Sequence, residues 1–204
     1  MNDLIIYGGA FNPPTIGHFK IIEYLIKKFP NNKLIILPTN NFYKSNEIVS
    51  FKNRKEMLEI MCKDFIELVE ISNYEETLDK YYGTYYTLKH FNHPLFVIGA
   101  DSLKTMHSWI KYPDVLIENR FIVFPRSGFD IEEIINKNDI LFKNKDKFIV
   151  VKEEEFSKTD ISSSSFRYDN NDEVLLEEVK EYIKLKGLYR WEYVCKRICE
   201  GGLL

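Results

Sequence analysis

An apolar run, Leu4-Ile5-Ile6-Tyr7, feeds directly into Gly8-Gly9-Ala10-Phe11-Asn12-Pro13-Pro14-Thr15-Ile16-Gly17-His18, and a helical pattern over residues 18–29 leaves it. Strand, glycine turn, helix at the start of a chain is a strong constraint on fold. The paired glycines let backbone approach a bulky ligand at the strand end. The following helix aims its N-terminal amides at the same place, which favours an anion such as phosphate. His18 stands where that helix opens. A nucleotide's phosphates are therefore expected here, although the stretch matches neither G-x-G-x-x-G nor G-x-x-x-x-G-K-S/T.

The rest of the chain repeats the alternation. Residues 33–37, 65–71, 95–98, 120–124 and 148–151 read as strands; 51–62, 84–91, 131–138 and 174–186 read as helices, the last closed by Gly187. The compact run Leu95-Phe96-Val97-Ile98 is typical of a strand buried on both faces. Strands alternating with helices predict an α/β fold with a doubly wound parallel sheet and a small C-terminal helical part. With no internal repeat or long linker, residues 1–204 are expected to form one domain, its sheet core over about 1–160 and its C-terminal part over about 161–204. Ligands of such sheets bind at the carboxyl ends of the strands, near the switch in strand order. The chemically suggestive residues all follow strands: the first loop, Lys44 after strand two, Gly99-Ala100-Asp101 after strand four, Arg126 after strand five, and Ser162-Ser163-Ser164-Ser165-Phe166-Arg167 after the last.

Composition excludes several classes. The formal charge of −3 gives no basic footprint for nucleic acid. No apolar stretch is long enough to span a bilayer and no signal peptide is evident, so the expectation is a cytoplasmic protein with no membrane partner. Cys62, Cys195 and Cys199 are too few for a disulfide framework; Cys195 and Cys199 could form half a metal site, but free thiols are the simpler reading. A homo-oligomer is left open.

The residues themselves leave alternatives. Thr15 and His18, three apart, share one helix face and could both reach a phosphate, or Thr15 caps the helix and His18 is an ordinary surface or core histidine. The serine run with Arg167 could be a second phosphate clamp or a flexible loop with a helix cap. Asp101 could bind ribose hydroxyls or cap its helix. Trp109 could stack on a ring or pack in the core. Arg126 could meet a ligand or form a surface ion pair.

Taken together, the two ends resemble a known family. Residues 8–18 look like the G-x-F-D/N-P-x-H/T-x-G-H motif of the nucleotidylyltransferase superfamily, and Ile161-Ser162-Ser163-Ser164-Ser165-Phe166-Arg167 is similar to its I-S-S-T-x-I/V-R. Lys44, Arg54, Thr84-Tyr85-Tyr86-Thr87-Leu88, Gly99-Ala100-Asp101 with Trp109, Arg126-Ser127-Gly128, and Tyr182-Ile183 with Leu188-Tyr189 resemble segments of the bacterial-type nicotinate-mononucleotide adenylyltransferases. Three positions depart from that pattern: Thr15 where most bacterial members carry His, Ser164 for the Thr of I-S-S-T, and Tyr86 for an Asp.

The resemblance implies adenylyl transfer from ATP to nicotinate mononucleotide, with Mg²⁺ held mainly by phosphates and no dedicated metal residues. It implies catalytic roles for His18, Thr15, Lys44 and Arg167. ATP would contact Gly8, Gly9, Ala10, Phe11, His18, Gly99, Asp101, Ile161, Ser162, Ser163, Ser164 and Arg167. The pyridine mononucleotide would contact Asn12, Lys44, Thr84, Tyr85, Trp109 and Arg126. The rivals are an adenylyl- or cytidylyltransferase acting on another phosphorylated substrate, such as phosphopantetheine, and a non-catalytic nucleotide sensor.

Overall fold

The computed structural model describes residues 4–43, 48–156, 163–169 and 171–189. Lys44, Ile161, Ser162, Cys195 and Cys199 lie outside them. The strands are β1 (Ile5–Gly9), β2 (Leu34–Pro38), β3 (Val69–Ile71), β4 (Leu95–Gly99), β5 (Arg120–Phe124) and β6 (Phe148–Val150). The helices are α1 (Ile16–Lys28), α2 (Phe51–Met61), α3 (Thr84–His90), α4 (Ala100–Thr105), α5 (Asp114–Ile117), α6 (Ile131–Asn136), α7 (Asp139–Lys143), α8 (Ser163–Asp169) and α9 (Glu177–Lys186).

All strand pairings are parallel, in the order β3-β2-β1-β4-β5-β6. The chain builds outward from β1 through β2 to β3, then crosses back to lay β4 on the other side of β1. The strand order therefore reverses between β1 and β4, and a crevice opens at their carboxyl ends.

Period-two alternation sends successive strand residues to opposite faces. Ile5, Tyr7, Leu34, Ile36, Leu95, Val97 and Ile122 pack with Ile22 and Leu25 of α1, Met57, Leu58 and Met61 of α2, and Val179 and Ile183 of α9. Ile6, Ile35, Leu37, Phe96, Ile98, Phe121 and Val123 pack on the other face with Leu88 of α3, Leu103 of α4, Leu116 of α5 and Ile135 of α6. Each such side chain, fully buried, stabilises by about 1.5–3 kcal/mol before conformational entropy is subtracted. Cys62 is a buried free thiol, pushed up to about 12 by that burial.

Several boundaries differ from the expectation. α1 opens at Ile16, two residues before His18, with Thr15 in the extended N-cap conformation (φ −119°). The third strand begins at Val69 rather than Phe65, because Lys63–Phe65 forms a 3-10 turn and Ile66 and Leu68 are exposed. The 131–138 helix stops at Asn136, and Asn138 caps a separate α7 by accepting from the N–H groups of Ile140 and Leu141. Asp101 is not the cap of its helix: the N-cap is Gly99, and it makes no side-chain cap hydrogen bond.

Candidate active site

A cleft of about 530 Å³ occupies the crevice between β1 and β4, within the range typical of small-molecule sites. Gly8, Gly9 and Ala10 at the end of β1 face Gly99 and Asp101 at the end of β4, with Thr84, Trp109 and Arg126 on the surrounding loops and helices. Gly8 has no room for a side chain, since a Cβ there would stand 2.9 Å from the Phe96 ring. A second cavity of about 50 Å³ is lined by Thr15, Gly17, His18 and Phe156, among others; Tyr7 and Arg126 border both spaces. Arg126 makes no ion pair with a carboxylate among the described residues, and it borders both cavities.

The state of His18 follows from its neighbours. The backbone N–H of Thr15 donates to Nδ1 of His18 at 2.9 Å. A backbone N–H can only donate, so Nδ1 carries no proton and the neutral ring holds its proton on Nε2. Thr15 Oγ1 also lies 2.9 Å from Nδ1, and Thr15 is wholly buried. Burial first, and the Arg126 guanidinium second, depress the imidazole to about 4. His18 therefore stands at neutral pH as an uncharged donor. Its ring is fixed edge-on to Phe11, centroids 5.0 Å apart, and Phe11 in turn packs edge-on to Tyr7. Thr15 stands at the helix cap and on the histidine, and it also lines the small cavity. Phe11 is 1% exposed and braces the ring from below instead of facing the cleft.

Asn12 is likewise turned inward. Its Oδ1 accepts from the Tyr189 hydroxyl at 2.8 Å and from the Val49 N–H at 3.2 Å. Its carbonyl accepts from Arg167 Nη1, while Ser163 Oγ donates to the Pro13 carbonyl at 2.7 Å. The start of α8 is thus pinned to the loop after β1, across more than a hundred residues of sequence. Arg167 Nη2 also reaches Ser164 Oγ at 3.4 Å, and Arg167 Nε is buried with no partner among the described residues. Such an orphaned N–H is costly unless an oxygen meets it.

A second arginine holds the loops themselves. Arg54, 0% exposed, donates to the carbonyls of Ala10 (2.8 Å), Thr39 (2.6 Å) and Val49 (3.0 Å), and to Asn41 Oδ1 (3.2 Å). Its planar fork satisfies buried acceptors from three separate loop segments at once.

The far end of the cleft is built by α3 and the residues after α4. Thr84 and Thr87, three apart, face the cleft; Tyr85 and Leu88 face the core. Tyr85 is therefore not among the cleft-lining residues: it packs inward, with its hydroxyl 3.3 Å from Glu118 Oε1. Tyr86 is 42% exposed on another helix face and is not a lining residue either. Trp109 does two things, lining the cleft and packing edge-on to Phe96 at 6.4 Å. Two carboxylates line the cleft. Glu75 is buried, accepts from Thr87 Oγ1 at 2.8 Å, and has its pKa raised by that burial; the Asp101 carboxylate accepts no hydrogen bond among the described residues.

Sequence reasoning missed Tyr7, Thr39, Glu75, Thr87 and Ile110 as lining residues. Tyr7 and Thr39 could have been found from their places at the carboxyl ends of β1 and β2. Nothing in the sequence marks Glu75, whose buried position depends on loop packing. Among the described residues, no group of three or more His, Cys, Asp or Glu could hold a metal ion, and no helix is long and apolar enough to cross a membrane.

The family described as Cytidylyltransferase-like matches residues 6–169. A protein of Acholeplasma laidlawii named "Probable nicotinate-nucleotide adenylyltransferase" is 34% identical over 193 residues, covering 91% of this chain and 97% of its own length. A relative of the same name from Clostridium novyi is 32% identical over 172 residues, covering 79% of this chain and 84% of its own. The fold is also that of a solved Plasmodium falciparum nicotinic acid mononucleotide adenylyltransferase complexed with NaAD, with a TM-score of 0.75, 21% identity, and coverage of 93% and 98% of the two chains.

Proposed function

The chain belongs to the cytidylyltransferase-like family, and we propose that it transfers the adenylyl group of ATP to nicotinate mononucleotide, forming nicotinate adenine dinucleotide and pyrophosphate in NAD biosynthesis. A phosphate oxygen of the mononucleotide attacks the α-phosphorus in line. The bond from that phosphorus to the bridging oxygen of the β-phosphate breaks, and pyrophosphate leaves with the electron pair. The attacking group is already an anion, so no general base is required. Catalysis then rests on positioning and on stabilising charge in the transition state.

The observation that carries this reading is the neutral His18 and the Arg126 cation bordering one small cavity, with Arg126 also lining the cleft. His18 donates from Nε2 to the α-phosphate as charge shifts onto its oxygens. Arg126 supplies a fixed positive charge there. Thr15 acts on the phosphate through His18. Arg167 offers its unmet Nε–H to the leaving pyrophosphate, alongside Ser163. Lys44, outside the described residues, is assigned to the phosphates on motif alone. Thr84 and Trp109 flank the pyridine ring, and Asp101 receives a ribose hydroxyl.

Mg²⁺ fits this donor set as an ion that arrives on nucleotide phosphates and keeps most of its waters. The phosphates themselves would hold it, with Asp101 left to the ribose, and the ion would neutralise phosphate charge. We assign the reaction to the cytoplasm, where both water-soluble nucleotides occur.

The test is an acceptor panel. Purified protein with Mg²⁺ and either ATP or CTP is offered nicotinate mononucleotide, nicotinamide mononucleotide or phosphopantetheine, and pyrophosphate release is followed. Release with ATP and a pyridine mononucleotide supports the proposal. Release only with phosphopantetheine, or only with CTP, replaces it with another member of the family.

A further inference from the structure

Gly83, the N-cap of α3, has φ 93° and ψ 155°, a conformation essentially restricted to glycine. A Cβ there would stand 2.8 Å from Ile110 Cδ1 and 2.9 Å from Ile110 Cβ. Rotating the isoleucine could move the first atom but not the second, because Cβ is fixed by the backbone. Ile110 therefore occupies the volume that a side chain at position 83 would need. It is 46% exposed, so it is not there to fill the core. Gly83 and Ile110 both line the cleft, and their chain neighbours Thr84 and Trp109 are the pair assigned to the pyridine ring.

We propose that Ile110 is a specificity-determining residue: its contact with Gly83 closes the ring end of the cleft and sets the largest ring substituent that fits. The inference rests on the proposed reaction. The acceptor class it admits is a mononucleotide with a small planar ring carrying one compact substituent. A further methyl on the ring meets the isoleucine side chain.

The experiment compares Ile110→Ala and Ile110→Val with the unaltered full-length chain, using nicotinate mononucleotide and a ring-methylated nicotinate mononucleotide. For Ile110→Ala, the kcat/KM ratio of methylated to plain acceptor rises about tenfold, the scale of one methylene in an apolar pocket. The KM for ATP stays within about twofold, since ATP does not touch this end. Ile110→Val, which keeps the Cβ against Gly83 and trims Cδ1, shifts the ratio the same way by less. An unchanged ratio in both variants overturns the inference while leaving the proposed reaction standing, and so does an equal rise of the KM values for ATP and acceptor. An unaltered chain that turns over neither pyridine mononucleotide overturns both.

Discussion

The backbone N–H of Thr15 donates to Nδ1 of His18 at 2.9 Å, and this one contact fixes which imidazole nitrogen carries the proton. Nitrogen-edited NMR at pH 7 should show His18 as the Nε2–H tautomer. Its titration should centre near 4, well below the usual 6.5. A protonated ring at pH 6, or the Nδ1–H tautomer, would remove the donor from the proposed mechanism.

The same histidine gives stability a pH dependence of known sign. Its folded value, about 4, lies below the unfolded 6.5. Between these the unfolded chain binds a proton that the folded chain refuses, so stability falls as pH drops through the window. The difference in urea midpoint between the unaltered chain and His18→Asn should therefore narrow as pH falls from 6.5 to 4, if the asparagine leaves the fold intact.

Arg126 is the second cause of the low His18 value, after burial. Arg126→Met should raise the His18 midpoint only partway towards 6.5, because the desolvation remains. The same variant should lower kcat by about 10²-fold or more, as expected for a lost group that stabilises transition-state charge. A wild-type rate with a shifted histidine would separate the two effects and remove Arg126 from catalysis.

Arg54 should prove structural, and lysine should not replace it. A lysine ammonium cannot fork to the carbonyls of Ala10, Thr39 and Val49 together. Arg54→Lys leaves buried acceptors unmet and should cost about 2–3 kcal/mol of unfolding free energy in urea. Tyr189→Phe, which loses only the hydroxyl on Asn12 Oδ1, should cost about 1 kcal/mol.

Much of this was legible in the sequence because it is local. The alternation of apolar runs with helical periods places β1, β2, β4 and β5 to within two residues, and Gly8-Gly9, read as a turn, closes β1 at the crevice. The third strand starts late because Phe65, Ile66 and Leu68 are apolar by type yet belong to a turn and an exposed segment. Helical phase also decided the α3 residues: Thr84 and Thr87 share the cleft face, which sends Tyr85 to the core. What stayed hidden is long-range. The Tyr189 hydroxyl meets Asn12, and Arg167 meets the Asn12 carbonyl, only because α8 and α9 fold back onto the first loop. No pattern within either segment reports that meeting, and so Asn12 reads as a ligand residue from its motif while its side chain is engaged internally.

Group transfer between two nucleotides can be followed with a labelled phosphorus. ATP carrying ³²P at the α-position is incubated with the protein, Mg²⁺ and nicotinate mononucleotide, and the products are separated. The label should appear in nicotinate adenine dinucleotide, in step with unlabelled pyrophosphate, and His18→Ala should lose this turnover far more than it loses ATP binding. Label that stays in ATP, or emerges only as AMP with no dinucleotide formed, would rule out adenylyl transfer to the mononucleotide.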